Sequence, residues 1–233
     1  MSARIVFITG GNKGLGYETA RRLKAPGFAV TIGTRDAERG KASAAALGID
    51  WVQLDVADQS TVAAAADTMT QRHGHIDVLV NNAGIVGPRK AAAKITGDDA
   101  EVVFGTNFVG ATRVSHAFLP LLWKSPAPQI VNISSGLGSF GATHDERRVE
   151  HSVVAPLYCA SKSALTMLTT QYAKALPGIR INAVDPGYTA TDLNDHRGTQ
   201  SVEEGTDAIV RIVLLGANAP TGAFIDRNGT VPW

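Results

Sequence analysis

Short runs rich in Val and Ile recur along this chain, and the stretches between them have helical rather than strand-like character. The runs are RIVFIT, AVTIGT, WVQLDV, IDVLVNN, QIVNISS, RINAV and GAFID, several of them apolar at nearly every position. A strand with one face in water alternates apolar and polar residues, whereas a strand that is apolar throughout has both faces covered. Such strands, separated by helices, specify a parallel sheet with helices on both sides, because each parallel connection needs a crossover long enough to hold a helix. The intervening segments carry the matching signals: Asp36 opens a stretch to Leu47 that Gly48 ends, and an Ala-rich stretch after Ser60 ends before Gly74. No tandem repeat or low-complexity linker interrupts the 233 residues, and 44% hydrophobic residues suffice for one substantial core, so one domain over 1–233 is expected. The most polar interruption, THDERRVE at 143–150, is expected to be a surface excursion.

The first run passes into Thr9-Gly10-Gly11-Asn12-Lys13-Gly14-Leu15-Gly16, and YETARRL after it can form a helix. Glycines at 10, 14 and 16 let the backbone turn tightly and approach a pyrophosphate, with helix N-terminal amides directed at its charge. A turn of this kind after the first strand points to a dinucleotide site built from Gly10, Asn12, Lys13, Gly14, Leu15 and Gly16. The second run ends at Gly33-Thr34-Arg35-Asp36, near the distance at which an acidic residue would bind the adenosine ribose of NAD. Arg35 stands at that end, and its planar guanidinium suits the 2′-phosphate that distinguishes NADP, with Lys13 as a second cation or a solvated surface charge. The expected cofactor is NADP(H). Tyr158 and Lys162, in YCASKSAL, are four residues apart and share a face if the segment is helical. An isolated phenol, with a pKa of about 10, is a poor acid at neutral pH, and an ammonium nearby favours its ionised form. The pair reads as an acid/base device in which Lys162 lowers the Tyr158 pKa.

Taken in order, TGGNKGLG, LDV at 54–56, NNAG at 81–84, Asn107 in TNFVG, NISS at 132–135, YCASK and DPGYTATD from 185 resemble the short-chain dehydrogenase/reductase family, most closely its single-domain, carbonyl-reductase-like members. The resemblance implies an α/β, Rossmann-like doubly wound fold with a seven-stranded parallel sheet. It implies that Asp55 and Val56 contact adenine and that Asn82, Ala83 and Gly84 pass beside the adenosine ribose. A strand-end cap at Asp55 and a purely structural NNAG turn remain equally open. Pro186 and Gly187 would bring Thr189 to the nicotinamide carboxamide. Ser135 matches the family's catalytic serine, donating to a carbonyl oxygen that gains charge as hydride arrives; Tyr158 then protonates that oxygen. Lys162 would also bind the nicotinamide ribose, and Asn107 matches a residue that holds a water in a proton relay through Lys162. Ser134, on the opposite side of the strand, is expected to be structural. The expected activity is NADPH-dependent, reversible reduction of a ketone or aldehyde to an alcohol. NADP-dependent alcohol oxidation and a nucleotide-binding redox sensor with little turnover are the alternatives, and an intact Asn107, Ser135, Tyr158 and Lys162 set speaks against the sensor.

Twenty-two residues lie between Ser135 and Tyr158, more than compact members of that family use and fewer than carbonyl reductases with a long inserted helical segment. Residues 136–157 would therefore reshape either the substrate mouth or an oligomer surface. Phe140, Tyr188, Leu193 and Trp233 could line an apolar pocket, with core packing the default for each, and 188–205 is expected to act as a mobile lid. A formal charge of +1 exerts no global pull toward nucleic acid or anionic membrane. No apolar run approaches the roughly 18 residues of a membrane span, and MSARIVFITG carries no signal-peptide pattern, so a soluble, cytoplasmic location is expected. The single cysteine, Cys159, excludes an intrachain disulfide and is read as a buried thiol without a resolving partner. His73, His75, His144 and His151 form no persuasive metal set. The expected partners are a small carbonyl or alcohol substrate and other copies of the chain, as dimer or tetramer, with a monomer equally open.

Overall fold

Every residue of the first strand, β1 (Ile5–Thr9), is buried, and successive side chains feed different cores. Ile5 and Phe7 join one cluster and Val6 and Ile8 another, as the two-residue period of a strand covered on both faces requires. The computed structural model describes residues 3–233. After β1 come α1 (Gly14–Lys24), β2 (Ala29–Thr34), α2 (Ala37–Leu47), β3 (Asp50–Gln53), α3 (Gln59–His73), β4 (Val78–Asn81), α4 (Gly97–Phe104), α5 (Ala111–Leu122), β5 (Gln129–Ile133), α6 (Phe140–His144), α7 (Pro156–Ala175), β6 (Arg180–Val184), α8 (Val202–Gly205), α9 (Asp207–Leu214) and β7 (Phe224–Ile225). The strands form one seven-stranded, all-parallel sheet in the order β3-β2-β1-β4-β5-β6-β7. That is the doubly wound Rossmann-like architecture expected from the sequence.

On one face Val62 and Met69 of α3 and Phe118 and Leu122 of α5 pack on Phe7 and Leu79, the Phe7 and Phe118 rings 4.5 Å apart. On the other, Leu23 of α1 and Ile209 and Val213 of α9 pack on Val6, Ile8 and Val80. The helix boundaries follow local chemistry. The Asp36 carboxylate accepts from the Arg39 amide and caps α2, whose chain leaves through Gly48 at φ 61°. Asp58, one position before the first residue of α3, caps that helix in the same way, and Gly74 ends it at φ 76°. Two runs differ from their sequence reading: β3 stops at Gln53, before LDV, and the GAFID strand is reduced to Phe224–Ile225 at the sheet edge. Strand order reverses between β1 and β4, so the crevice of the fold opens beyond their carboxyl ends, where Gly10-to-Gly16 and NNAG lie.

Candidate active site

The nucleotide half begins at Thr9, whose hydroxyl accepts from the Asn82 and Ala83 amides, both at 3.0 Å. The Asn82 side chain returns the connection by donating to the carbonyls of Thr9 and Gly10 at 2.8 and 3.1 Å. The NNAG turn thus braces the glycine-rich turn, and it does so at close quarters: a Cβ on Gly16 would stand 2.5 Å from Asn82 Nδ2 and from the Gly10 carbonyl. Gly10 and Gly14 adopt φ of 65° and 53°, open to glycine at little cost. The first turn of α1 carries no acidic residue and no side-chain cap, so its amides are presented to an anion. This chemistry fits a dinucleotide pyrophosphate.

Arg35 is exposed at the end of β2, without a side-chain hydrogen bond or ion pair among the described residues. Asp36, beside it, is committed to capping α2 and to an ion pair with Arg39 at 3.4 Å. Lys13, expected as a second phosphate contact, is instead paired with Asp192 at 2.8 Å. Asp55 accepts from the Ala57 amide at 2.9 Å, the turn-capping role held open for it, and the buried Val56 faces Gly110.

The sheet and α7 converge on a cavity of about 710 Å³ that gathers Leu15, Asn82, Gly84, Ser135, Tyr158, Lys162, Pro186, Gly187 and Thr189. Ser135 caps the short turn Gly136–Gly138, its Oγ accepting from the Leu137 amide at 3.2 Å and its own proton left to donate. Ser134 is turned away and buried, bonded to Thr166 Oγ1 at 2.6 Å and to the Lys162 carbonyl at 3.2 Å, as expected of a structural serine. Lys162 is 4% exposed. Its ammonium donates to the Ile133 carbonyl at 2.7 Å and lies 5.6 Å from the centre of the Tyr158 ring. Burial pushes Lys162 down to about 8, with the Asp185 carboxylate opposing. Tyr158 keeps an edge on the cavity, yet the protein around it raises its pKa above that of a free phenol; the Ser135 hydroxyl pulls the other way, and Asp185 and Cys159 raise it further. The expectation that Lys162 lowers the phenol is therefore corrected. Lost hydration dominates, and the ammonium is engaged with a backbone carbonyl.

Asn107 lies in a π-helical turn, Gly105–Gly110, between α4 and α5. Its Oδ1 accepts from the Ile85 amide at 2.8 Å, and its Nδ2 donates to the Ile85 carbonyl and to Ser161 Oγ, both at 2.9 Å. The side chain thus clamps the chain just after NNAG. Asn107 Oδ1 and Lys162 Nζ both border Gly84, 3.4 and 3.5 Å from where a Cβ would stand. Thr189 is buried and donates to the Pro186 carbonyl at 3.0 Å.

Four aromatic or aliphatic residues correct the expectation of core packing: Phe140, Tyr188, Leu193 and Trp233 are all exposed. Tyr188 and Leu193 line the cavity; Phe140 and Trp233 do not, and Trp233 stacks on Phe224 at 5.8 Å. Cys159 is half-buried rather than buried, its thiol pKa raised by the burial it has. The 143–150 excursion is only partly at the surface. Arg147 projects outward, but Glu150 turns in toward Gly136 and Asp185. Thr9, Ser161, Glu150 and Asp185 thus join the site without having been assigned a role from sequence. Asp185 alone carried a signal, its place directly before Pro186-Gly187. Among the described residues no group of three His, Cys, Asp or Glu could hold a metal ion, and no helix is long and apolar enough to cross a membrane.

A family profile described as short chain dehydrogenase matches residues 4–201. The chain belongs to that family. Its members are oxidoreductases acting on carbonyl and alcohol groups. Short-chain dehydrogenase/reductase 1 of Saponaria officinalis is 32% identical, over 99% of this chain and 96% of its own length. The (+)-neomenthol dehydrogenase of Arabidopsis thaliana is also 32% identical, over 97% of this chain and 96% of its own length. Among solved structures, an NADPH-bound carbonyl reductase from chicken fatty liver superimposes with a TM-score of 0.85 at 28% identity, covering 100% of both chains.

Proposed function

We propose that this chain reduces a ketone or aldehyde to the alcohol with NADPH, reversibly. The observation that carries the reading is the convergence of Ser135, Tyr158 and Lys162 on one cavity lined mainly by apolar groups, among them Val86, Pro88, Ile95, Val153 and Leu193, with Arg89, Lys90 and Arg197 also bordering it. NADPH supplies the hydride. Ser135, with its own proton unspent on the Leu137 contact, donates to the substrate oxygen and stabilises the charge developing there. Tyr158 gives that oxygen its proton. Burial keeps the side chain in the phenol form, the form a proton donor to the substrate oxygen needs. Lys162 is placed to hold the nicotinamide ribose and to accept a proton relayed past Asn107, since both border Gly84. Arg35, exposed and unpaired among the described residues, beside a committed Asp36 supports NADPH over NADH. The mainly apolar lining suits a bulky, weakly polar carbonyl compound, in keeping with a relative that carries the name neomenthol dehydrogenase.

The test is a panel of ketones and aldehydes followed by loss of NADPH absorbance. With a substrate so found, Tyr158→Phe should lower kcat by about 10²- to 10⁴-fold while NADPH affinity stays near wild type. Near-wild-type turnover by that variant would remove Tyr158 from the mechanism.

A further inference from the structure

Asp185, at the carboxyl end of β6, is a buried carboxyl group that the proposed chemistry does not use. Its main chain is fixed by donation to the Ile225 carbonyl at 2.8 Å. One carboxyl oxygen accepts from the Gly187 amide at 2.9 Å. The other lies against Gly136, 2.9 Å from where a Cβ on that residue would stand, and the Gly136 amide favours the ionised group. Gly136 follows Ser135 directly, and Gly187 belongs to the turn that carries Thr189. A single carboxyl group therefore reaches both of the neighbouring turns after β5 and β6, and both turns line the cavity. Asp185 and Glu150 also separate that cavity from a second, more polar one of about 330 Å³ lined by Arg148, Gln200, Asp226 and Arg227.

We infer that Asp185 is a positioning residue of the reductase: its carboxyl group ties the Ser135–Gly136 turn to the Pro186–Gly187 turn and sets a negative charge behind the Tyr158–Lys162 pair. The inference rests on the reductase reading for its kinetic consequence and, for the tie, on the Gly187 hydrogen bond and the close approach of the other carboxyl oxygen to Gly136. Every neighbouring element contributes to the charge balance. From α7, Tyr158 and Lys162 face the carboxyl group; from the 149–152 turn comes Glu150, itself held by Arg148 at 3.1 and 3.3 Å; beyond β7 comes Asp226. Arg227 is engaged outward with Glu204 at 2.9 Å. Burial, with Glu150 and Asp226 beside it, holds the pKa of Asp185 above the usual range, while the Gly187 and Gly136 amides favour the carboxylate. As a carboxylate it disfavours the Tyr158 phenolate and so helps keep the proton donor loaded.

Asp185→Asn keeps the shape and one acceptor but removes the charge; Asp185→Ala removes both acceptors. Reduction by the Asn variant should fall about 10- to 100-fold in kcat, with the KM for NADPH changed less, because the reacting groups lose register rather than affinity. The pH at which reduction falls away on the alkaline side should move down by about one unit, since a phenol freed of a neighbouring negative charge ionises earlier. A role confined to folding would lower activity evenly across pH. Independently of any substrate, the Gly136 and Gly187 amides should exchange hydrogen faster in the Ala variant than in wild type. If neither variant folds, the same two amide resonances in the wild-type chain must titrate together with one carboxyl group. Wild-type kcat and an unmoved alkaline limb in Asp185→Asn would overturn the kinetic role. Unchanged amide exchange, or amide resonances that do not titrate, would overturn the tie. If no carbonyl is turned over by the wild type, the reductase reading falls while amide exchange still decides the tie.

Discussion

Arg35 and Asp36 are adjacent and have opposite commitments. Asp36 spends its carboxylate on the Arg39 amide and side chain, while Arg35 stays exposed with its guanidinium unpaired among the described residues. At the β2 end the ion that remains to meet a ligand is therefore positive, the charge on which the proposed preference for NADPH rests. Arg35→Asp should lower the NADPH/NADH ratio of kcat/KM at least about tenfold, the order of one charged hydrogen bond, and an unchanged ratio would reject the assignment. Because Arg35 is exposed and makes no side-chain hydrogen bond or ion pair among the described residues, the variant should melt with the wild type. Tyr158 and Lys162 teach the complementary lesson. Their spacing was legible as a shared helix face, but the sign of the phenol's shift was not, because desolvation depends on how many atoms surround the ring in three dimensions.

Among the elements, β4 and β5 share a polar interior that the motifs NNAG and NISS do not announce. Asn81 donates to Asn132 Oδ1 at 2.8 Å and to Ser115 Oγ at 3.0 Å, and Asn132 donates to Thr169 Oγ1 at 2.8 Å, all buried. This chain of bonds ties the sheet centre to α5 and α7, the helix that carries Tyr158 and Lys162. Asn132→Ala leaves the Asn81 amide short of a partner in the dry interior, and thermal or denaturant unfolding should show a loss of about 1–3 kcal/mol. A loss too small to measure would mean that the network is not structural. The strands and most helices were readable because burial on both faces and Asp or Gly at the helix ends are local signals. The π turn at Gly105–Gly110 was not, since TNFVG carries helix-compatible residues and its extra residue per turn arises where Asn107 clamps Ile85 across 22 positions of chain.

Across the whole molecule, residues 190–199 form a loop whose ends are joined by the Ala190 amide donating to the Gln200 carbonyl at 2.9 Å and the Gln200 amide donating to the Tyr188 carbonyl at 3.0 Å. The loop is moored to both lips of the crevice by exposed ion pairs, Asp192 with Lys13 at 2.8 Å and Asp195 with Arg89 at 2.7 Å. Exposed pairs contribute little each, so the moorings suit a lid that opens. Replacing Asp192 and Asp195 by Ala should speed limited proteolysis within 190–199 without lowering the melting temperature, and NADPH with substrate should slow it in the wild type. A cleavage rate indifferent to both changes would remove the lid. The sequence by itself determined the layered α/β order, the glycine turn at the first crossover and the shared helix face of Tyr158 and Lys162, because strand and helix period, helix caps and backbone freedom are properties of neighbours along the chain. Only the tertiary structure decided that burial raises the Tyr158 phenol, that Lys13 is paired across the crevice, that Glu150 turns inward and that the Asp185 carboxyl group lies between Gly136 and Gly187. Each depends on atoms far apart in sequence, whose distance and shared loss of water exist only once the sheet has assembled.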